Sequence, residues 1–332
     1  LPKIDDVAAR AGVSKTTVSH VLTGNRPVSA KTRDHVLRII EDMKFRPNSV
    51  AQSLRNKSSY ATALIIPDIM NPFFPAMARG FQDTMVAHGY SIFLCITDAQ
   101  QKQEEILLSS MLQRQVDGLA IASFHDVTEI VRATMSPDFP CVAIDSIVSL
   151  PNVDIVTSDG PACAAEATRY LLSRGHRRIG MIGGALDIIP SRDRIAGYRR
   201  ALEEAQIPYN AELVVSADFF FTSQGGETAM EHLLSLTERP TAVFCATDLL
   251  AIGAIKRAHT LGFRVPEDVA VMGYDDIDVA SLISPALTTM RNPSREVGAQ
   301  VARLLLDRIT GEYQGQRRIV SMSHPLIVRD SA

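Results

Sequence analysis

At 332 residues, with 46% apolar and 21% charged side chains and no apolar run long enough to cross a bilayer, the sequence reads as a soluble globular protein of two or three domains rather than a disordered, fibrous or membrane-spanning one. The net charge of −3 hides an asymmetry: residues 1–60 carry eleven Lys and Arg against five Asp and Glu, a net of +6, and the remainder carries −9. A basic head is drawn to polyanions while an acidic body is repelled by them, so any contact with nucleic acid is expected in the head alone.

The head opens with apolar residues at helical spacing, Ile4, Val7, Ala8 and Ala11, followed by Gly12 as a turn residue. Ser14 stands as the N-cap of a second periodic run through Val18, Val21 and Leu22. Two short helices joined by a Gly turn form a helix-turn-helix, whose second helix enters a DNA major groove. A polar loop around Asn25 leads to a third helix over about Ala30 to Met43, with Val36, Leu37, Ile40 and Met43 expected on its apolar face. Base readout falls to Lys15 and Thr16 at the exposed start of the second helix and to His20 about one turn on, all able to meet base edges. Thr17, Ser19 and Asn25 are expected to clamp phosphates, which fixes register without reading sequence. Lys15 on phosphate alone, or His20 as a bystander, are the plainer alternatives.

Pro47 then ends one helix and Asn48 caps another of about eight residues, which is marginal as an isolated helix in water and orders only when something holds it. Taken together, Asp6-Val7-Ala8, Ala11-Gly12-Val13-Ser14, Thr17-Val18-Ser19, Pro47-Asn48 and Ala51 to Leu54 resemble the lactose/galactose repressor (LacI/GalR) family, near its purine, ribose and catabolite-control members. The resemblance implies a hinge helix in the minor groove, with Leu54 as the wedge that opens a base step and Asn48 and Arg55 beside it. Leu54 packing an ordinary linker helix is the alternative.

From Tyr60 onward short apolar runs alternate with amphipathic segments. Strands are expected at Thr62 to Ile66, Ser91 to Ile96, Gly118 to Ala122, Pro140 to Ile144, Arg178 to Ile182, Ala242 to Cys245 and Val269 to Met272. Helices fall between them, at Ala76 to His88, Glu104 to Gln113, Ala162 to Leu172, Arg194 to Ala205, Gly226 to Leu236 and Leu249 to Leu261. Such alternation builds parallel, doubly wound α/β sheets, and the length suggests two units. The resemblance implies a periplasmic-binding-protein-like body of two subdomains joined by three crossovers. It divides the chain into a helix-turn-helix head (1–46), a hinge (47–59) and a body (60–332), with one subdomain at about 61–160 and 291–320 and the other at about 161–290 and 321–330.

Open parallel sheets bind ligands beyond the carboxyl ends of their strands. The loops there hold Asp68 to Phe74, Asp145-Ser146, Ser191 to Arg194, Thr247-Asp248 and Tyr274 to Asp276, with Asn292 near a later crossover. Carboxylates, an Arg and amides beside aromatic rings suit a sugar: Asp accepts from hydroxyls, Arg donates in a fork, and rings cover apolar C–H faces. By the resemblance, Asn71, Phe73 and Phe74, then Asp145, Arg194, Asp275 and Asn292, occupy pocket positions. Phe219 falls where relatives set a ring over the ligand, and Thr247 replaces an Asn frequent in sugar-binding members. Taken singly, Asp145 or Asp275 is as readily a helix cap, Arg194 a surface ion pair, and Phe73 or Phe74 core.

The expectation is a dimeric repressor on a palindromic operator, gated by a small molecule: a sugar such as ribose or another aldose first, a purine or nucleoside next, a phosphoprotein third. No coiled-coil tail is expected. Cys95, Cys141, Cys163 and Cys245 lack metal-ligand spacing and read as core thiols of a reducing cytoplasm, so neither metal nor cofactor is expected. Catalysis is disfavoured as well: Gly180-Met181-Ile182-Gly183-Gly184 is not a dinucleotide fingerprint, and no phosphate-binding loop or nucleophile elbow occurs. A solute-binding protein would share the body but has no use for a basic helix-turn-helix.

Overall fold

The structure is a computed structural model that describes residues 2–24, 26–46, 58–186, 188–217 and 220–332. The chain divides into two compact units, Leu1–Ser59 and Tyr60–Ala332.

The first unit holds α1 (Ile4–Ala11), α2 (Lys15–Thr23) and α3 (Ala30–Asp42). Gly12 takes φ +62°, the left-handed conformation that ends α1, and the Ser14 and Ser29 hydroxyls accept the Thr17 and Thr32 N–H groups to start α2 and α3. Val7, Ala8, Ala11, Val18, Val21, Val36, Ile39 and Phe45 close the small core. The expected apolar face of α3 needs one correction: Leu37 is exposed and Ile39 is buried in its place. Val36, Ile39, Ile40 and Met43 repeat at three and four residues, whereas Leu37 lies about 100° round the helix from Val36. The expected hinge segment lies outside the described residues between 47 and 57.

The second unit contains two six-stranded sheets among the described residues. The first contains β1 (Ala61–Ile66), β2 (Ser91–Ile96), β3 (Gly118–Ala122), β4 (Cys141–Ile144) and β5 (Asp154–Thr157). Around it lie α4 (Phe73–Ala87), α5 (Gln101–Gln113) and α6 (Thr128–Thr134). The chain then crosses into α7 (Gly160–Ser173), β6 (Ile179–Gly183), α8 (Ile189–Glu204), β7 (Val214–Ser216), α9 (Ser223–Ser235), β8 (Ala242–Cys245), α10 (Asp248–Thr260), β9 (Ala270–Asp275) and β10 (Thr288–Arg291). It returns for α11 (Ser294–Thr310) and β11 (Ile319–Ser321) on the first sheet, and crosses again for β12 (Leu326–Ile327) on the second.

The strand orders are β11-β5-β4-β3-β1-β2 and β12-β10-β9-β8-β6-β7, all parallel except the β10–β12 pair. Each sheet therefore reverses direction of winding beside its first strand, which opens a crevice at the carboxyl ends. Central strands such as β3 and β4 are buried along their whole length, as parallel strands covered on both faces must be. Strands β5, β7, β10, β11 and β12 and helices α6 and α11 add to the elements expected from sequence.

Candidate functional site

In the head, the α2 start is held by Ser14, whose hydroxyl also shares a 2.8 Å hydrogen bond with Thr17 Oγ1. Lys15 and Thr16 are exposed beyond it, and His20 stands four residues after Thr16 on the same face, half-buried. Lys15 Nζ lies 3.1 Å from Asp5, with both side chains more than 60% exposed (61% and 62%). An exposed pair of this kind contributes about 1 kcal/mol at most, so a phosphate or guanine edge can take the lysine over. Thr17 is committed in part to the cap, and Ser19 is half-buried. Asn25, Asn48, Leu54 and Arg55 lie outside the described residues.

In the second unit, loops at the carboxyl ends of both sheets line an open cavity whose empty space, counted out to solvent, is about 530 Å³. It is lined by Asn71, Phe73, Phe74, Asp145, Arg194, Thr247, Asp275 and Asn292, every described residue that the sequence nominated for a ligand. Phe219 lies outside the described residues.

Each polar group is positioned by backbone chemistry. After β1, Asp68 accepts the Met70 and Asn71 N–H groups, and Asn71 Oδ1 accepts the Phe73 N–H at 3.1 Å to launch α4. That leaves the Asn71 amide N–H groups as its donor capacity. Asp145 follows β4 in the left-handed region (φ +45°), and its Oδ1 accepts both the N–H (2.7 Å) and the hydroxyl (2.9 Å) of Ser158. Asp145 is thus tied to the first crossover and is not a helix cap. Arg194, on α8, stacks its guanidinium over the Tyr274 ring at 4.1 Å.

Asp275 ends β9 with φ +121°, outside the usual range of a non-glycine residue, and its carbonyl accepts the Asn292 N–H at 3.0 Å. Burial pushes its carboxyl up to about 8, with the Arg194 charge the main opposing influence. Asn292 Oδ1 is buried without a protein partner.

Two loop residues serve the fold rather than the cavity. Thr247 reaches the wall, but its hydroxyl accepts the Leu250 N–H at 3.3 Å as the α10 cap. Asp248 turns inward, accepting from Ile277 N–H (2.9 Å) and Thr289 Oγ1 (2.6 Å), and burial pushes its carboxyl up to about 6.

Sequence reasoning missed Ser123, Phe124, Pro190 and Phe221. Phe73 and Phe74 meet edge to face at 5.2 Å, Phe74 continues to Phe124 at 6.2 Å, and Phe124 meets Phe221 at 6.1 Å, so an aromatic run crosses from one sheet to the other. Phe124 follows the end of β3 as Asn71 follows β1, so the strand-end rule that found the others could have found it. Phe221 belongs to the run Phe219-Phe220-Phe221, and Gly184 makes room for it: a Cβ there would fall 2.6 Å from the ring. Among the described residues no group of three or more His, Cys, Asp or Glu could hold a metal, and no helix is long and apolar enough to cross a membrane.

Comparison with known proteins follows the division of the chain. Residues 3–48 match the family described as "Bacterial regulatory proteins, lacI family", and residues 168–332 match "Periplasmic binding protein-like domain". The chain is 33% identical over 330 residues to the HTH-type transcriptional repressor PurR of Aliivibrio salmonicida, covering 99% of this chain and 98% of that one. Among solved structures, the lac repressor dimer bound to operator and the anti-inducer ONPF superposes with a TM-score of 0.90 at 25% identity, covering 99% of this chain and 98% of that one. The complex of the transcriptional regulator CelR with cellobiose has a TM-score of 0.74 at 32% identity, covering 100% of both chains. With a helix-turn-helix unit, a two-sheet body and full-length relatives, the chain belongs to the LacI family of DNA-binding transcriptional regulators, a family of non-enzymes that carry an effector-binding domain.

Proposed function

We propose that the protein is a cytoplasmic repressor that binds a palindromic operator as a homodimer and is gated by a sugar held between the two sheets. The observation that carries the effector assignment is the single cavity joining Arg194, Asp275, Asn292, Asn71 and Asp145 to a run of phenylalanine rings. Hydroxyls need fixed acceptors and forked donors, and the C–H faces of a sugar need rings; the cavity offers both. Asn292 Oδ1, buried and unpartnered, supplies a further acceptor that a ligand hydroxyl satisfies. CelR, similar over its whole length, is a regulator in complex with cellobiose, which supports the same reading.

The dimer assignment draws on the edge strand β2, where Phe93 (39%), Leu94 (41%) and Ile96 (39%) are exposed on the outermost strand of the first sheet, with Ile106 (49%) on α5. An open apolar edge of that kind calls for a covering partner, and a second copy supplies one. The lac repressor superposed on this chain is a dimer on its operator. In the head, Lys15, Thr16 and His20 read bases while Thr17, Ser19 and Asn25 hold phosphate; Asn48, Leu54 and Arg55 enter on sequence similarity alone.

Selection of random duplexes by the full chain, followed by analytical ultracentrifugation of the complex, tests this part. The expected result is a palindromic site bound by two chains, with Lys15→Ala or Thr16→Ala relaxing one symmetric pair of positions. A non-palindromic site, or one chain per duplex, would overturn it.

A further inference from the structure

A second cavity adjoins the aromatic one and shares Asp145, Pro190 and Arg194 with it; its empty space, counted out to open solvent, is about 620 Å³. The walls of this outer lobe come from the first crossover, at Thr157, Ser158 and Gly160, and from the start of α8, where Asp193 faces the crossover. Asp193 lines the outer lobe and not the aromatic one. Gly160 lets it sit there, since a Cβ on that residue would stand 3.2 Å from the Asp193 Cβ.

The two lobes differ in chemistry. In the outer lobe both serine hydroxyls are already committed: Ser158 donates to Asp145, and Ser146 donates to the Ile144 carbonyl at 2.8 Å while accepting the Ser123 N–H at 2.9 Å. The Asp193 carboxylate, by contrast, has no hydrogen bond or ion pair with any described residue. Burial pushes its carboxyl up, with Arg194 and Arg192 pulling the other way. A half-buried carboxylate without protein donors relies on water at its open side, and hydroxyl donors from a ligand can take the place of that water. A phosphate there would face two carboxylates, Asp193 and Asp145, against one lining cation, Arg194, so the charge balance of the lobe disfavours it.

We propose, resting on the reading of the cleft as a sugar site, that the effector is an unphosphorylated glycoside of two rings: the inner ring lies among the phenylalanines between Arg194 and Asp275, and the outer ring donates hydroxyls to Asp193. Asp193 is then the residue that selects for length. A single hexose engages the inner lobe and leaves Asp193 to solvent.

Calorimetric titration of the full chain tests this with cellobiose, maltose and lactose, their component hexoses, D-ribose, glucose 6-phosphate and inosine. The variants are Asp193→Ala, the isosteric Asp193→Asn and Arg194→Ala, each checked for folding by thermal unfolding. The expected result is one disaccharide binding about tenfold or more tighter than its component hexoses, an advantage lost in Asp193→Ala and reduced in Asp193→Asn, while hexose affinity stays within about twofold. Glucose 6-phosphate is expected not to compete. Equal affinity for hexose and every disaccharide, or full disaccharide affinity in both Asp193 variants, would overturn the two-ring assignment while leaving the sugar site standing, provided Arg194→Ala abolishes the binding that remains. Binding of inosine alone, or of none of these probes, would overturn the sugar reading itself and the two-ring assignment with it.

Discussion

Asp275 is the residue on which burial and function meet. Its carboxyl sits at about 8 because burial disfavours the ionised form more than Arg194 favours it. The native state therefore holds a proton that the unfolded chain releases near 3.8, so the contribution of this group to stability falls as pH rises from about 4 to 8. Ligand binding has the opposite sign. On the proposed reading a sugar hydroxyl would donate to the ionised carboxylate, so affinity is expected to climb about tenfold per pH unit below pH 8 and to level off above it. Titration calorimetry between about pH 6 and pH 9 reads this directly, with proton release on binding at pH 7, and Asp275→Asn flattens the profile. A pH-independent affinity in the unaltered chain would contradict it. At this scale the sequence was a good guide to which side chains gather and a poor one to their bonds. Thr247 and Asp248 are adjacent and both polar, and only the capping geometry of α10 decides that one spends its hydroxyl on a helix end and the other its carboxylate on β10. Phe221 also lines the cavity, and local sequence offers nothing that singles it out within its aromatic run.

At the scale of elements, three helix pairs flank the sheets in close contact, and glycines set the distance. A Cβ on Gly80 would fall 1.9 Å from the Arg295 carbonyl oxygen, and one on Gly298 1.9 Å from that of Met77, which locks α4 to α11. Gly226 and Gly253 do the same for α9 and α10, and Gly197 for α8 against the start of α7. Backbone cannot yield as a flexible side chain can, so Gly298→Ala and Gly253→Ala are each expected to cost about 1–3 kcal/mol or more in urea unfolding, despite the higher helix propensity of Ala. An unchanged or higher unfolding midpoint in both would contradict this packing. The first sheet is also tied by charge: Asp154, fully buried on β5, accepts from Arg308 on α11 at 2.6 and 2.8 Å and from Arg318 just before β11 at 2.7 Å. Burial pushes the Asp154 carboxyl up, but these hydrogen bonds outweigh it and hold the group below 3.8, so the stability this cluster lends is present above that value and is lost as pH falls from it through the lower folded value. The alternation of strand and helix was legible because buried parallel strands read as apolar runs. Strands β7, β11 and β12, two or three residues long, were too short for any period, and β5 and β10, no shorter than β4 and β8, lack their unbroken apolar run because Asp154, Thr157, Thr288, Thr289 and Arg291 interrupt it. Helix α11 shows a plain helical repeat at Val297, Val301, Leu304 and Leu305 and was legible though absent from the expected elements.

For the whole molecule, the charge division and the helix-turn-helix made the DNA-binding role readable from the first residues, since both are local. The crossovers were not readable locally: nothing in residues 158–160 or 291–294 says that the chain changes sheets, and that knowledge came from family resemblance. Yet the crossovers make the site, because they bring Asp145 and Asn71 of one sheet to the same cavity as Arg194 and Asp275 of the other. A ligand that bridges them favours one arrangement of the two sheets by its differential affinity, and that bias is what the head would feel. The central claim is that occupancy of this cleft sets the grip of the basic head on DNA. The most direct test is a salt titration of selected operator binding by the full chain, with and without the bound sugar, in the unaltered protein and in Arg194→Ala. The account predicts affinity that falls linearly with salt on logarithmic axes, a sugar-dependent change of about tenfold or more, and loss of that change in Arg194→Ala with basal binding retained. Operator affinity that ignores the sugar, or a normal response in Arg194→Ala, would contradict it.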